Sequence, residues 1–174
     1  MNHGLENAST RSILTRIAGL PDEVVKLGEN EQPCVFRSRV FPPVEWNEQE
    51  ICEQLNIVLP VELKQFWMYA SEVRIETLEE GNCMRSGIYI SSPLDVLEFH
   101  HRKISEEFPE RYTDGDLIIG ERVGDLMLFV VRCKQNLKDF GTVLLSNPID
   151  QRKDWQVVGK TVTEFLANCL SGKV

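Results

Sequence analysis

Between Asp116 and Cys133 the chain reads DLIIGERVGDLMLFVVRC, and no other stretch constrains the fold as tightly. Residues 117–119 and 126–131 are nearly unbroken apolar runs, with Gly120 and Gly124 bracketing a turn between them. A strand with one wet face alternates apolar and polar residues, because successive side chains point to opposite sides. Two continuous runs joined by a short glycine-bounded link therefore predict a hairpin of two buried strands at the centre of a sheet.

The flanking sequence supplies the rest of that sheet and its cover. Val73, Ile75 and Thr77 alternate with Arg74 and Glu76, which reads as a half-buried strand. GIYI at 87–90, GTVLL at 141–145 and WQVV at 155–158 add further short strands. Before them, Asn47 with Glu50 has the spacing of a capping box, and Ile51, Cys52 and Leu55 share one face of the helix it opens. Pro60 suits the first turn of a second helix, with Leu63, Phe66, Trp67 and Ala70 at helical spacing. Ser92 can cap a third, whose stripe reads Leu94, Leu97, His101, Ile104 and Phe108. Thr161 or Thr163 starts a closing helix that turns Val162, Phe165, Leu166 and Leu170 inward. Helices and strands in this order predict an α+β domain over residues 47–174, with a mostly antiparallel sheet. Residues 1–46 are punctuated by Pro21, Gly28, Pro33, Pro42 and Pro43. They read as an irregular arm on or before that domain, with a short helix over 12–17 and a strand over 34–40.

The 174 residues are 42% hydrophobic, enough for a packed core and too many for a disordered chain. The formal charge of −8 argues against direct binding to nucleic acid or anionic membrane, both of which require cationic surface. That charge is unevenly placed. Residues 45–125 hold eighteen acids against seven bases, whereas 1–44 are neutral and 126–174 carry more bases than acids. No run reaches the roughly 18 apolar residues of a membrane span, and Arg11 and Arg16 break up any signal-peptide core. Five scattered cysteines without a CxxC pair predict reduced thiols in a cytosolic protein, with Cys133 in the core.

Motifs for chemistry fail one by one. His100 and His101 diverge by about 100° on a helix and cannot easily share a metal, and His101 on the apolar stripe reads as a core histidine. His3 is the sole remaining histidine. Asp114-Gly115-Asp116 opens like a calcium loop, but Ile118 and Ile119 stand where an oxygen ligand and a glycine are required. Gly120 and Gly124 precede a strand, not the helix N-terminus that a phosphate loop needs. Cys83 lies near Arg85 without a positioned base, and no GxSxG occurs. The expectation is a protein with no catalytic residues, no metal and no cofactor. Trp46 and Trp155, beside charges at element boundaries, read as core-edge packing or as binding anchors.

The order of these motifs resembles the Smi/Knr cell-wall-regulator family of the SUKH superfamily. EICEQLNIVLPVELKQFW carries its "I…E…L…LP…F" pattern through Ile51, Glu53, Leu55, Leu59, Pro60 and Phe66. IYISSPLDVLEFH is similar to the family's next segment. LIIGERVGDLMLFVV resembles its "I.IG…GD" core through Ile118, Ile119, Gly120, Gly124 and Asp125, and GTVLLSN its following strand. The resemblance covers about residues 47–170. It implies a SUKH-like, non-enzymatic binding fold, a twisted sheet with helices packed around it: in bacteria, immunity proteins that neutralise toxins, many of them nucleases or deaminases; in eukaryotes, regulatory interaction proteins. An acidic immunity protein would meet a basic toxin domain in the cytoplasm. Asp114, Asp116, Glu121 and Asp125 around the hairpin, with Glu79 and Glu80, are the expected contact acids. Trp46 and Tyr112 are the expected aromatic anchors, and Asp116, Glu121 and Asp125 are expected to be replaceable at little cost to stability.

Overall fold

A computed structural model describes residues 9–174, apart from 27, 29–31, 82–84, 107–108 and 148. Eight strands form one sheet whose spatial order is the chain order. They are β1 (Glu23–Val25), β2 (Cys34–Val40), β3 (Val73–Glu80), β4 (Gly87–Ile90), β5 (Asp116–Val123), β6 (Met127–Arg132), β7 (Val143–Ser146) and β8 (Gln156–Gly159). Every neighbouring pair is antiparallel. Five α-helices among the described residues pack around it: α1 (Thr10–Ala18), α2 (Glu48–Leu55), α3 (Val61–Tyr69), α4 (Val96–Glu106) and α5 (Val162–Leu170). The class is α+β with an antiparallel sheet, as the sequence implies.

The β5–β6 hairpin shows why its runs are unbroken. Leu117, Ile119, Phe129 and Val131 face one core, which Ile13 and Ile17 of α1, Leu63, Phe66 and Trp67 of α3 and Phe165 and Leu166 of α5 complete. Phe129 and Phe165 stack with ring centres 4.8 Å apart. Ile118, Leu128 and Val130 face a second, smaller core with Phe99 of α4 and Trp155. Gly120 sits where any Cβ would collide with the Tyr89 carbonyl of β4, and the β5–β6 register slips between Ile118 and Gly120. The following turn places Gly124 (φ 104°) and Leu126 (φ 61°) in the left-handed region. Leu126 is thus a turn residue and not the first residue of β6; Asp125 holds the turn by accepting from the Met127 amide and from Arg122.

Side chains cap the helix starts: Ser9 accepts from the Ser12 amide at α1, Asn47 from Gln49 at α2 and Thr161 from Glu164 at α5, and Ser92 accepts from Asp95 in the turn that leads into α4. At α2 the capping box does not close, because the Glu50 carboxylate accepts from Gln54 and not from the cap. Pro60 occupies the N-cap of α3.

Residues 9–46 are not an irregular arm: α1 buries Ile13, Leu14 and Ile17 in the main core, and β1 and β2 extend the sheet. Helix α1 packs on α5, where the Thr10 and Thr163 hydroxyls are 2.7 Å apart. The apolar spacing in α1 spans little more than one turn, so its inward face is weakly marked in sequence. The expected stripe of α4 holds in part: Leu97 and Ile104 pack against the cores, but the most deeply buried positions lie one residue away. Val96, Phe99 and His100 are buried, whereas Leu94 is 60% exposed and His101 faces water. Leu94 lies in the turn before the helix begins, so a stripe counted from it has the wrong phase. Lys103 completes the inward face by burying its stem and meeting Glu121 at 2.5 Å. Phe108, the last residue of the expected stripe, lies outside the described residues, as do His3 and Cys83.

Cys133 and Cys169 are buried, and burial pushes both thiols well above the usual range. Cys52, Cys133 and Cys169 are free, but Cys34 is disulfide-bonded, against the expectation that all five thiols are reduced. No helix among the described residues is long and apolar enough to cross a membrane.

Candidate functional site

The two faces of the sheet are covered unequally. Helices α1, α3 and α5 pack over one face, while α4 lies over β5 on the other. Beside α4, over β3 and β4, a groove of about 750 Å³ is left open. Its floor is Tyr89 of β4, tilted against Phe99 of α4 with ring centres 5.7 Å apart. One wall carries Arg74, Thr77, Leu78 and Glu79 of β3; the other carries Arg102 of α4 and Glu121 and Val123 of β5. Burial raises the Tyr89 hydroxyl above its ordinary range, so it is a neutral donor and acceptor at physiological pH.

Local irregularity builds the β3 wall. Glu76 has φ 50°, and its amide donates to the Ser38 hydroxyl at 3.0 Å instead of to a regular ladder. The register against β2 shifts nearby, between Arg37 and Arg39. Such a bulge re-aims the residues beyond it. Thr77 and Leu78, adjacent in sequence, both reach the groove.

The expected contact acids are divided by this geometry. Glu79 and Glu121 line the groove, Glu80 follows Glu79 on the strand, and Asp125 follows the lining residue Gly124. All four already face cations. Glu79 accepts from Arg39 and from Arg37, which together hold its carboxyl down at about 2. Glu80 lies 3.7 Å from Arg37, Glu121 pairs with Lys103, and Asp125 with Arg122. Asp114 and Asp116 belong to the other end of β5, about 20 Å away along the strand. Asp114 is exposed and pairs with Lys134.

Asp116 is not a surface residue at all, and the expectation that it can be replaced cheaply is corrected. Its side chain is 1% exposed and receives Arg132, Arg152 and the Thr113 amide and hydroxyl. Arg132 reaches on to Asp139 at 2.9 Å. A carboxylate sealed between two guanidinium groups joins β5, β6 and the loop before β8, and offers nothing to a partner. The aromatic anchors are also engaged internally. Trp46 is half-buried edge-on against Trp67 (5.3 Å), and Tyr112 is half-buried against Trp155 (5.3 Å). Neither lines the groove.

The groove residues missed by sequence reasoning are Arg102, Tyr89, Leu78 and Val123. One signal was present: Arg102 and Lys103 are the one adjacent pair of bases in the acidic segment 45–125. Arg102 lies three residues after Phe99 on the same helix, which places its guanidinium over that ring, 5.5 Å from the centre. Leu78 and Val123 carry no such mark, because the bulge at Glu76 and the turn at Gly124 decide where they point.

Chemically the groove offers a phenol, paired charges and exposed apolar side chains on rigid strands, an arrangement suited to contact along a surface. No protein-family model matches the chain, and a search of curated proteins returns no match.

Proposed function

We propose that this chain is a non-enzymatic protein-binding module that takes its partner on the uncovered half of its sheet, as an immunity protein neutralising a cognate bacterial toxin. The observation that carries the reading is the groove between β3, β4 and α4. It is a concave face on a rigid sheet, with Leu78 and Val123 37% and 41% exposed around a phenol. Apolar and aromatic groups ringed by polar ones are what protein interfaces are built from. The motif order that resembles the SUKH superfamily supports the immunity role and a nuclease or deaminase domain as the toxin.

Charge supports the same reading from a different place than expected. Between Arg39 and Lys64 lie Glu45, Glu48, Glu50, Glu53 and Glu62 without a single base. Of these, Glu48 alone forms an ion pair among the described residues, with Lys64 at 3.1 Å. The acids at the hairpin are neutralised by the protein's own arginines and lysines. Steering of a basic toxin therefore falls to α2 and its flanks, and docking to the groove. In this reading the protein works in the cytoplasm of the toxin-exposed cell. The Cys34 disulfide runs against a reducing compartment.

The test is co-expression with a toxin encoded beside the gene. Wild type restores growth and co-purifies with the toxin domain. Tyr89→Ala combined with Val123→Asp abolishes both while the protein stays folded. Reversal of Glu48, Glu50 and Glu53 to Lys slows association and flattens its salt dependence. Failure of wild type to protect or to form a complex overturns the immunity role. Recovery of signalling proteins in its place would move the reading to a regulatory scaffold.

A further inference from the structure

Nearly every charge that lines the groove is already paired. Glu79 sits between Arg37 and Arg39, and Glu121 meets Lys103. Arg85 is held by Glu23 and Glu76, and Arg74 by Glu72. Arg102 is the exception: it forms no ion pair with any side chain that the structure describes. Its guanidinium is nonetheless held in place, stacked over Phe99. A guanidinium fixed against a ring keeps its planar fork of donors free and loses little freedom when it binds.

The surroundings narrow what that fork can meet. Phe99 is 5% exposed, with Arg102, Lys103 and Tyr89 packed on it, so that ring offers a nucleobase no free face. Leu78 and Val123 are exposed apolar surface on opposite walls. At about 750 Å³ the groove has room for several side chains. We propose that it receives an extended segment of the partner protein bearing one carboxylate flanked by apolar side chains. The carboxylate docks on the Arg102 fork, and its neighbours cover Leu78 and Val123. The proposal rests on the binding-module reading and adds the chemistry of the docked segment.

Two probe peptides test it, acetyl-Leu-Glu-Leu amide and its Gln counterpart, titrated into the full chain and followed by amide and arginine side-chain NMR. The Glu peptide should shift the Arg102 Nε–H and the backbone amides of Leu78, Tyr89 and Val123. Its affinity should exceed that of the Gln peptide by about tenfold, the worth of one charge-assisted hydrogen-bond pair. Arg102→Gln should erase that preference without moving the melting temperature, and Arg102→Lys should restore only part of it. Equal affinity of the two peptides, shifts confined to other surfaces, or no shifts would overturn the proposal. So would acetate or inorganic phosphate reproducing the shifts at the same concentration, which would mark a small-anion site. In the co-expression assay, an Arg102→Glu chain that binds the toxin as well as wild type would overturn this assignment and leave the binding-module reading standing. Loss of the wild-type complex would strike that reading itself.

Discussion

At one end of β5 the Asp116 carboxylate is 1% exposed and clasped by two arginines; at the other, the Glu121 and Asp125 side chains are 23% and 28% exposed beside an open groove. All three are carboxylates, on one strand and the turn that ends it. What differs is the cover. The Asp116 end lies beneath Arg152, with the Trp155 ring under that guanidinium, whereas the Glu121 end emerges past α4. A carboxylate in a dry setting becomes part of the framework, because removing it strands the cations that it satisfies. A carboxylate at a wet edge is free to exchange its partner for another.

The comparison can be broken most directly at its buried end. Asp116→Ala should cost about 3–5 kcal/mol in urea denaturation, since it takes the shared carboxylate from two adjacent guanidinium groups and leaves Asp139 alone to face Arg132. A cost below about 1 kcal/mol would show that the two ends of β5 are equivalent after all. Leu128→Ala, in the adjacent strand and fully buried against Phe99 and Trp155, should cost about 2–5 kcal/mol by emptying core volume. This value calibrates the first against a purely apolar site.

His100 tests the middle of the strand. Its Nδ1 accepts from the Ile118 amide at 3.1 Å, and burial, reinforced by His101, lowers it to about 4. The unfolded chain takes up this proton near the ordinary value of about 6.5 and the folded one does not until about 4. The stability that His100 contributes is therefore complete above about pH 6.5, and falls as pH drops toward 4, by on the order of 3 kcal/mol. Urea midpoints measured across that range should show the loss, and His100→Gln should flatten it. The smallest effect belongs to the open end. Glu121→Gln, which frees Lys103, should cost no more than about 1 kcal/mol in the same denaturation assay. A larger cost would mean that Glu121, like Asp116, is framework.

These contrasts also mark how far the sequence was legible. The hairpin, the strands on either side and helices α2, α3 and α5 follow from periodicity, because their apolar residues repeat long enough to set a phase. Helix α4 was found, with its most deeply buried positions one residue out of phase, since Leu94 looked like the start of a stripe and Lys103 like its wet side. Helix α1 was too short to declare which face is buried. The site was harder. Asp116 and Asp125 look alike on paper, and only the arrival of Arg132 and Arg152, from other parts of the chain, separates them. Leu78 and Val123 reach one groove through a bulge at Glu76 and the bend of the sheet's central turn, and neither leaves a pattern in composition.

Each strand pairs with its neighbours in sequence, so the sheet alone is a strip that could zip together locally and fast. The contact of α1 with α5 changes that behaviour. Thr10 and Thr163 meet across 153 positions of chain, and with them the first and last helices close over the same core. The strip is thus buckled into a loop. Fastening the two ends closes the longest loop in the fold, the contact with the largest entropic cost to form, and a force pulling the two helices apart would load the buckle before any strand pair. A chain cut short at either end would lose the fastening while keeping most of its ladder, and with it the all-or-none character of its unfolding.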